Sequence, residues 1–241
     1  MNRRSFAVDV EGLPPRIIAL PLRTPIVRSG DDLPALVASA VRGVVSPGDV
    51  VCVSETAVAI AQGRSIAAEA IRPTMLARIL SDRAGPYATV SQPESMQLVM
   101  ENAGTLKVLA AAAVGAAGRL IGRRGDFYRI LGPAISQIDG YTGTMPPFES
   151  HIVLGPIDPP SQSKAIAAAC GAHAVIVDAN DLEAVAILGA SDGVDEDAVC
   201  ACLRSNPHGN ADEQTPIVVL KYRPMPKSPL HSPLLRTAAT R

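Results

Sequence analysis

The apolar positions of this chain change their period several times, and each change marks an element. Arg16 to Leu22 is an apolar run with a proline near its end, which predicts a strand. Ser29-Gly30-Asp31-Asp32 then supplies a turn and acids that can cap free N–H groups at a helix start. Leu33, Leu36, Val37, Ala40, Val41 and Val44 follow at helical spacing, and Pro34 falls in the first turn, where its missing N–H costs little. After the turn at Pro47-Gly48-Asp49, Val50 to Val53 is unbroken and apolar, as a strand buried on both faces requires. Ser54 opens a helix that runs to Ala61, and Gly63 ends the segment. Helices are also predicted from Pro73 to Leu80, with Met75, Leu76, Ile79 and Leu80 inward, and from Pro93 to Asn102, stopped by Gly104.

Leu106 to Leu120 is Ala-rich and apolar nearly all round, so it is expected to be a buried helix or a buried strand passing into one. A turn at Arg123 to Asp126 leads to Phe127–Leu131, which reads as a strand. Residues 133–150 carry several Gly and Pro breaks and little periodicity, a loop long enough to suggest a site. His151 to Leu154 is a short strand. Asp158 caps a helix with Pro159 at its first position and Gly171 at its end. Ala174–Val177, Ala184–Leu188 and Pro216–Tyr222 read as strands, and Val194–Arg204 as a helix with three acids at its positive end. Strands alternate with helices, but some neighbouring strands lack a crossover. The expected fold is therefore α+β or mixed α/β, in layers of sheet and helix, and not a clean doubly wound sheet. One domain is expected over 16–222, in which two subdomains could meet near 133–150. A loose lead-in over 1–15 and a disordered, Pro-rich, basic tail over 223–241 complete the expectation.

A length of 241 residues agrees with one or at most two domains. Aromatic residues make up 3% and Trp is absent, so the core must be built from Ala, Val, Ile and Leu, and no stacking platform for bases is expected. Lys plus Arg number 22 against 23 Asp plus Glu, and this balance removes the electrostatic argument for a nucleic-acid partner. No run approaches the roughly 18 apolar residues of a membrane span. Residues 1–15 have Arg3 and Arg4 but no apolar run behind them, so no secretory signal is read there, and the four Cys are expected to be reduced thiols in the cytoplasm.

The chain contains no GxxxxGK[ST] phosphate loop, no GxGxxG dinucleotide fingerprint, and no HExxH or CxxC. Cys200 and Cys202 project about 200° apart on a helix and read as packing residues. Carboxylates carry more promise. Asp139 lies inside the long loop, and Asp178 ends the apolar strand Val175-Ile176-Val177, followed by Asn180 and Asp181. A carboxylate just past the carboxyl end of a buried strand is where α/β folds place ligands. Oxygen ligands on turns there suit Mg²⁺ or Mn²⁺; the plainer role for each is capping a turn. Arg64, Arg123, Arg124 and Lys164 are cations that could clamp a phosphate or a carboxylate, or simply sit in solvent. His208 stands in a polar turn, Asn206-Pro207-His208-Gly209-Asn210, and either touches a ligand or belongs to a solvated loop.

Several short strings occur in a telling order. They are Gly30-Asp31-Asp32-Leu33, Pro47-Gly48-Asp49-Val50-Val51, Gln62-Gly63-Arg64, Ile138-Asp139, Leu154-Gly155-Pro156-Ile157-Asp158-Pro159, Val175-Ile176-Val177-Asp178 and Ala186-Ile187-Leu188-Gly189-Ala190. Over about residues 16–222 this series resembles the coenzyme F-420 γ-glutamyl ligase family, enzymes that join L-glutamate to a deazaflavin precursor. The resemblance implies a mixed α/β fold without a phosphate loop, and a homodimer. It implies activation of a small-molecule carboxylate by GTP (or ATP) with a divalent metal, Mg²⁺ or Mn²⁺, followed by attack of an amine on the acyl phosphate. Asp139 and Asp178 fall on the family's metal-binding aspartates, with Asn180 or Asp181 as a further oxygen ligand. Ser54, Gly63 and Arg64 fall near the nucleotide. The chain departs from the family at Glu55, which replaces a lysine, at 134–137, and at Ala179-Asn180-Asp181-Leu182. These departures mark a divergent branch with room for a different acceptor. A binding protein without catalysis, or a metal-dependent hydrolase using the same aspartates, are the alternatives.

Overall fold

The computed structural model describes residues 17–84, 89–132, 138, 147–180, 182–209 and 213–222. The expected lead-in, the expected tail, Asp139, Asp181 and most of the 133–150 loop lie outside the described residues. Seven strands and eight α-helices are seen among the described residues, in the expected mixed arrangement. In chain order they are β1 (Ile17–Leu22), α1 (Leu33–Val41), β2 (Val50–Ser54), α2 (Glu55–Ala61), β3 (Ser65–Ala67), α3 (Met75–Ser81), α4 (Pro93–Ala103), α5 (Thr105–Leu120), α6 (Asp126–Leu131), β4 (His151–Val153), α7 (Pro159–Cys170), β5 (His173–Ala179), β6 (Val185–Ala190), α8 (Glu196–Leu203) and β7 (Ile217–Tyr222).

Five strands form one sheet in the order β1-β7-β2-β5-β6, and β3 pairs with β4 in a second, small one. Within the large sheet β2 and β5 run parallel, while β1–β7, β7–β2 and β5–β6 are antiparallel. The apolar runs of β2, β5 and β7 are buried on both faces. Val51, Val53, Ala174, Ile176, Ile217 and Val219 pack against α1, α2 and Ile166 of α7. The alternate positions Val50, Cys52, Val175, Val177, Val218 and Leu220 pack against Val199, Cys202 and Leu203 of α8. The result is three layers, helix on sheet on helix.

A second apolar cluster gathers α3, α4, α5 and Leu131 around β4. The two-residue period of β4 joins the two regions: Ile152 and Leu154 face this second cluster, and Val153 faces the large sheet.

Three expectations are corrected here. Phe127–Leu131 is not a strand but part of helix α6. Its aromatic and β-branched residues suit a strand, yet Asp126 at the positive end ion-pairs with Arg123 and Arg129, each three residues away. Gly118 of α5 admits that carboxylate, since a Cβ there would overlap Asp126. The Ala-rich segment is one helix, α5, but it is not buried. It buries only Val108, Ala111, Gly115 and Gly118, and it exposes Leu106 (84%) and Leu120 (89%). Helix α3 begins at Met75, because Thr74 caps it, and its buried face is Ala77 and Ser81 rather than Met75 and Ile79. The short strand β3 gives no sequence signal; its three half-buried residues take their conformation from pairing with β4.

Helix α7 seats its first turn on β6 at Gly189. A Cβ at that position would fall inside the backbone of Pro159 and Pro160. Gly189→Ala is therefore expected to destabilise the fold by about 1–3 kcal/mol through overpacking. Urea unfolding reads this as a lower midpoint at unchanged m; an unchanged midpoint would show that α7 is not held at this distance.

Candidate active site

The parallel pair sets one edge of the large sheet. Ser54 ends β2 opposite Val177 of β5, and Asp178 is the next residue along. The antiparallel neighbours bring their own ends to the same edge. Ser54 N–H donates to Pro216 C=O just before β7 (2.9 Å), and Thr24 N–H, just after β1, donates to Gln214 C=O (3.2 Å). Connections from five strands thus converge where two buried strands end, the usual ligand crevice of such sheets.

Asp178 is half-buried. Burial pushes its carboxyl up from the ordinary range, and among the described residues no hydrogen bond or ion pair engages it. Alternation along β5 places it on the face of Ala174 and Ile176, towards α1, α2 and α7. Asn180 has a different task. Its Oδ1 accepts from Leu182 N–H (2.9 Å) and Ala184 N–H (3.2 Å), closing the β5–β6 hairpin. Both lone pairs of that oxygen are then engaged.

Gly63 and Arg64 lie at the far end of α2. Seven helical residues separate them from Ser54, about 10 Å along the axis. Arg64 Nε donates to Gly155 C=O, and Leu154 N–H donates to Arg64 C=O (3.0 Å). Gln62 bonds Ile157 in both directions, at 2.8 and 2.7 Å. The Gln62-Gly63-Arg64 and Leu154–Ile157 strings, distant in sequence, therefore touch each other. The sequence candidates form two groups: Ser54, Asp178 and Asn180 at the sheet edge, and Gly63 with Arg64 beyond α2. Of the other cations, Arg123 pairs with Asp126 (3.2 Å), and exposed Lys164 pairs with Asp192 (3.3 Å).

His208 is neither in a solvated loop nor at the surface. It is buried, and its Nδ1 is 3.1 Å from Thr215 C=O, while Thr215 Oγ donates to His208 C=O. A carbonyl can only accept, so Nδ1 carries the proton. Nε2 is enclosed with no hydrogen-bond partner, and burial pushes the imidazole down to about 4. This segment enters β7 at the same sheet edge. The polar string at 206–215 hinted at its importance, but burial on an otherwise polar turn has no sequence signature. Glu55, which begins α2 beside Ser54, is also buried. The thiols read as packing groups: burial raises Cys52, and raises Cys202 to about 11.

A family model described as F420-0:Gamma-glutamyl ligase matches residues 21–199. The chain belongs to this family. The F420-0:gamma-glutamyl ligase match runs through β1 to α8, and so includes Ser54, Gly63, Arg64 and Asp178. No curated protein matches the sequence. Among the described residues no cluster of three or more His, Cys, Asp or Glu forms a ready metal cage, and no single helix is long and apolar enough to cross a membrane.

Burial of His208 links stability to pH. The folded chain holds the ring neutral, whereas the unfolded chain takes up a proton below about 6.5. Stability present above that value is expected to fall by about 3 kcal/mol as pH drops from 6.5 to 4. Urea unfolding at pH 7, 5.5 and 4 checks this. The His208→Gln variant should show a flatter dependence, and an equal slope would place the titrating group elsewhere.

Proposed function

We propose that this chain is a nucleotide- and divalent-metal-dependent amide-forming ligase that adds L-glutamate to a carboxylate acceptor through an acyl phosphate. The observation that carries the reading is Asp178, a half-buried carboxylate with no partner among the described residues, at the carboxyl edge of the parallel strands in a member of this family. A fold does not leave such a group bare without cost. Mg²⁺ commonly takes one or two carboxylates and fills its remaining positions with phosphate oxygens and water. Asp178 fits that role without a three-residue cage, and Asp139 or Asp181 would supply the second carboxylate. A bound cation would neutralise charge on the transferring phosphoryl group.

In the first step an acceptor carboxylate oxygen bonds to the terminal phosphorus of GTP or ATP. The bond from that phosphorus to its bridging oxygen breaks and the nucleoside diphosphate departs. In the second step the deprotonated amine of glutamate forms the C–N bond, inorganic phosphate leaves the acyl carbon, and one proton is released. Arg64 contributes by position. Its Nε is held by Gly155, and its terminal nitrogens make no bond among the described residues, so they can meet an anionic group. The acceptor is a deazaflavin precursor or a relative of it, since the chain departs from the family at Glu55, at 134–137 and in the hairpin after Asp178. We also carry over the homodimer of the family, and keep the cytoplasmic setting that the four thiols suggest.

Phosphate release in the presence of GTP or ATP, Mn²⁺ or Mg²⁺, L-glutamate and the deazaflavin precursor tests the reading. Asp178→Asn is expected to lower kcat by roughly 100-fold, about 3 kcal/mol of transition-state stabilisation. The same variant should melt at an unchanged or higher temperature, because the desolvated charge it removes opposes folding. Activity retained in Asp178→Asn would sink the site assignment. Nucleotide binding without turnover would point to a binding protein, and product release without nucleotide would point to a hydrolase.

A further inference from the structure

We propose that His208 is a positioning residue for the sheet edge that carries Ser54, holding it through Thr215 and Pro216. The carbonyls of Glu213 to Pro216 lead into β7 in succession, and each is taken by a different donor. Glu213 C=O accepts from Arg23 Nε (2.8 Å), and Gln214 C=O from Thr24 N–H (3.2 Å). Thr215 C=O accepts from His208 Nδ1–H (3.1 Å), and Pro216 C=O from Ser54 N–H (2.9 Å). This segment thus joins the end of β1 to the end of β2. Gln214 is left-handed within it, at φ 54°, a conformation that Gly adopts freely and most other residues avoid. Such a residue persists only where its surroundings over-determine it.

His208 supplies that over-determination. Its bond to Thr215 is returned, since Thr215 Oγ donates to His208 C=O, and both residues are buried. The two bonds close a ring, so neither residue can turn without breaking both. Thr215 is then fixed, and Pro216, whose own ring locks φ, carries the constraint to the next carbonyl. Ser54 depends on that carbonyl. It leads into α2, yet its hydroxyl caps no N–H of that helix, so only its main chain sets its place. Across the sheet its partner is Val177, and Asp178 follows. A loosened Thr215 would let Ser54 drift relative to that carboxylate. Hydrogen bonds weaken steeply as their geometry degrades, so an anion held at this edge would be bound less well. His208 acts through this series of bonds and not by contact with substrate.

The role rests on the ligase reading, in which Ser54 stands near the nucleotide; the path of bonds does not. Two measurements on the full chain separate them. Amide hydrogen exchange reads the path. In His208→Ala the Ser54 and Thr24 N–H groups should exchange at least tenfold faster, with the amides of α5 unchanged. Thr215→Val, which removes one bond of the ring and keeps the side-chain shape, should do the same to a smaller degree, and it serves if His208→Ala does not fold. Steady-state kinetics with Mn²⁺ reads the role. The KM for GTP or ATP should rise at least tenfold in His208→Ala, while the KM for L-glutamate stays within twofold. A residue needed only for stability would lower the active fraction and leave both KM values alone. His208→Asn, whose amide can donate to Thr215 C=O, should restore the nucleotide KM to within threefold. Unchanged Ser54 exchange, an unchanged nucleotide KM, or equal rises in both KM values would each overturn the proposal. A wild-type chain without turnover would sink the ligase reading instead, and Ser54 exchange would then decide the path alone.

Discussion

The parallel pairing of β2 with β5 is the constraint on which the rest of this molecule depends. Two parallel neighbours cannot be joined by a tight turn and need a long crossover. Here the crossover runs from Glu55 to Ala172 and carries α2 to α7, the small sheet and the whole second apolar cluster. That excursion is what lets Val50–Ser54 and His173–Val177 lie side by side in register. Their carboxyl ends then coincide, and the antiparallel strands on either side deliver loops to the same edge. The site is a consequence of one strand direction.

The two ends of that strand pair treat a carboxylate in opposite ways. At the amino end Asp49 is buried and fully engaged. It accepts from Ser46 N–H (2.8 Å), Lys221 Nζ (2.8 Å) and Tyr222 N–H (3.3 Å), while its carbonyl accepts from His173 N–H (3.1 Å). These bonds tie the start of β2 to the end of β7 and the start of β5. Losing one partner of such a pair strands a buried charge and costs several kcal/mol. At the carboxyl end Asp178 is partly desolvated and bonded to nothing among the described residues. One aspartate ties three strands together; the other ties nothing among the described residues.

The large sheet was legible in the sequence because its evidence is local. Val50–Val53 is continuous and apolar, Asp32 and Asp158 stand at helix starts, and Asp178 follows an apolar run; each survives in the structure. The failures are those where a partner decides. Phe127–Leu131 looks like a strand until Gly118 and Arg129 are known to flank Asp126. The face that α5 buries is chosen by α6, through the small residues Gly115 and Gly118, and not by average hydropathy. The site was half legible for the same reason. Collinear strings named Ser54, Arg64 and Asp178, but nothing in them says that Gln62 grips Ile157, or that Asn180 spends its oxygen on a hairpin.

Where carboxylates do structural work here, they are visibly engaged. Asp32, Asp158 and Asp195 cap helices, Asp31 closes a turn, and Asp126 and Asp49 hold cations. A bare carboxylate needs no account where water surrounds it, since solvent supplies the missing bonds. Asp178 has no such excuse, because it is partly withdrawn from solvent without acquiring a partner among the described residues. It therefore raises the free energy of the fold, in a chain whose buried aspartates Asp49 and Asp126 are both paired with cations. Asp178 stands where the two parallel strands end together, and that uncompensated carboxylate is the physical ground for a candidate site at this edge.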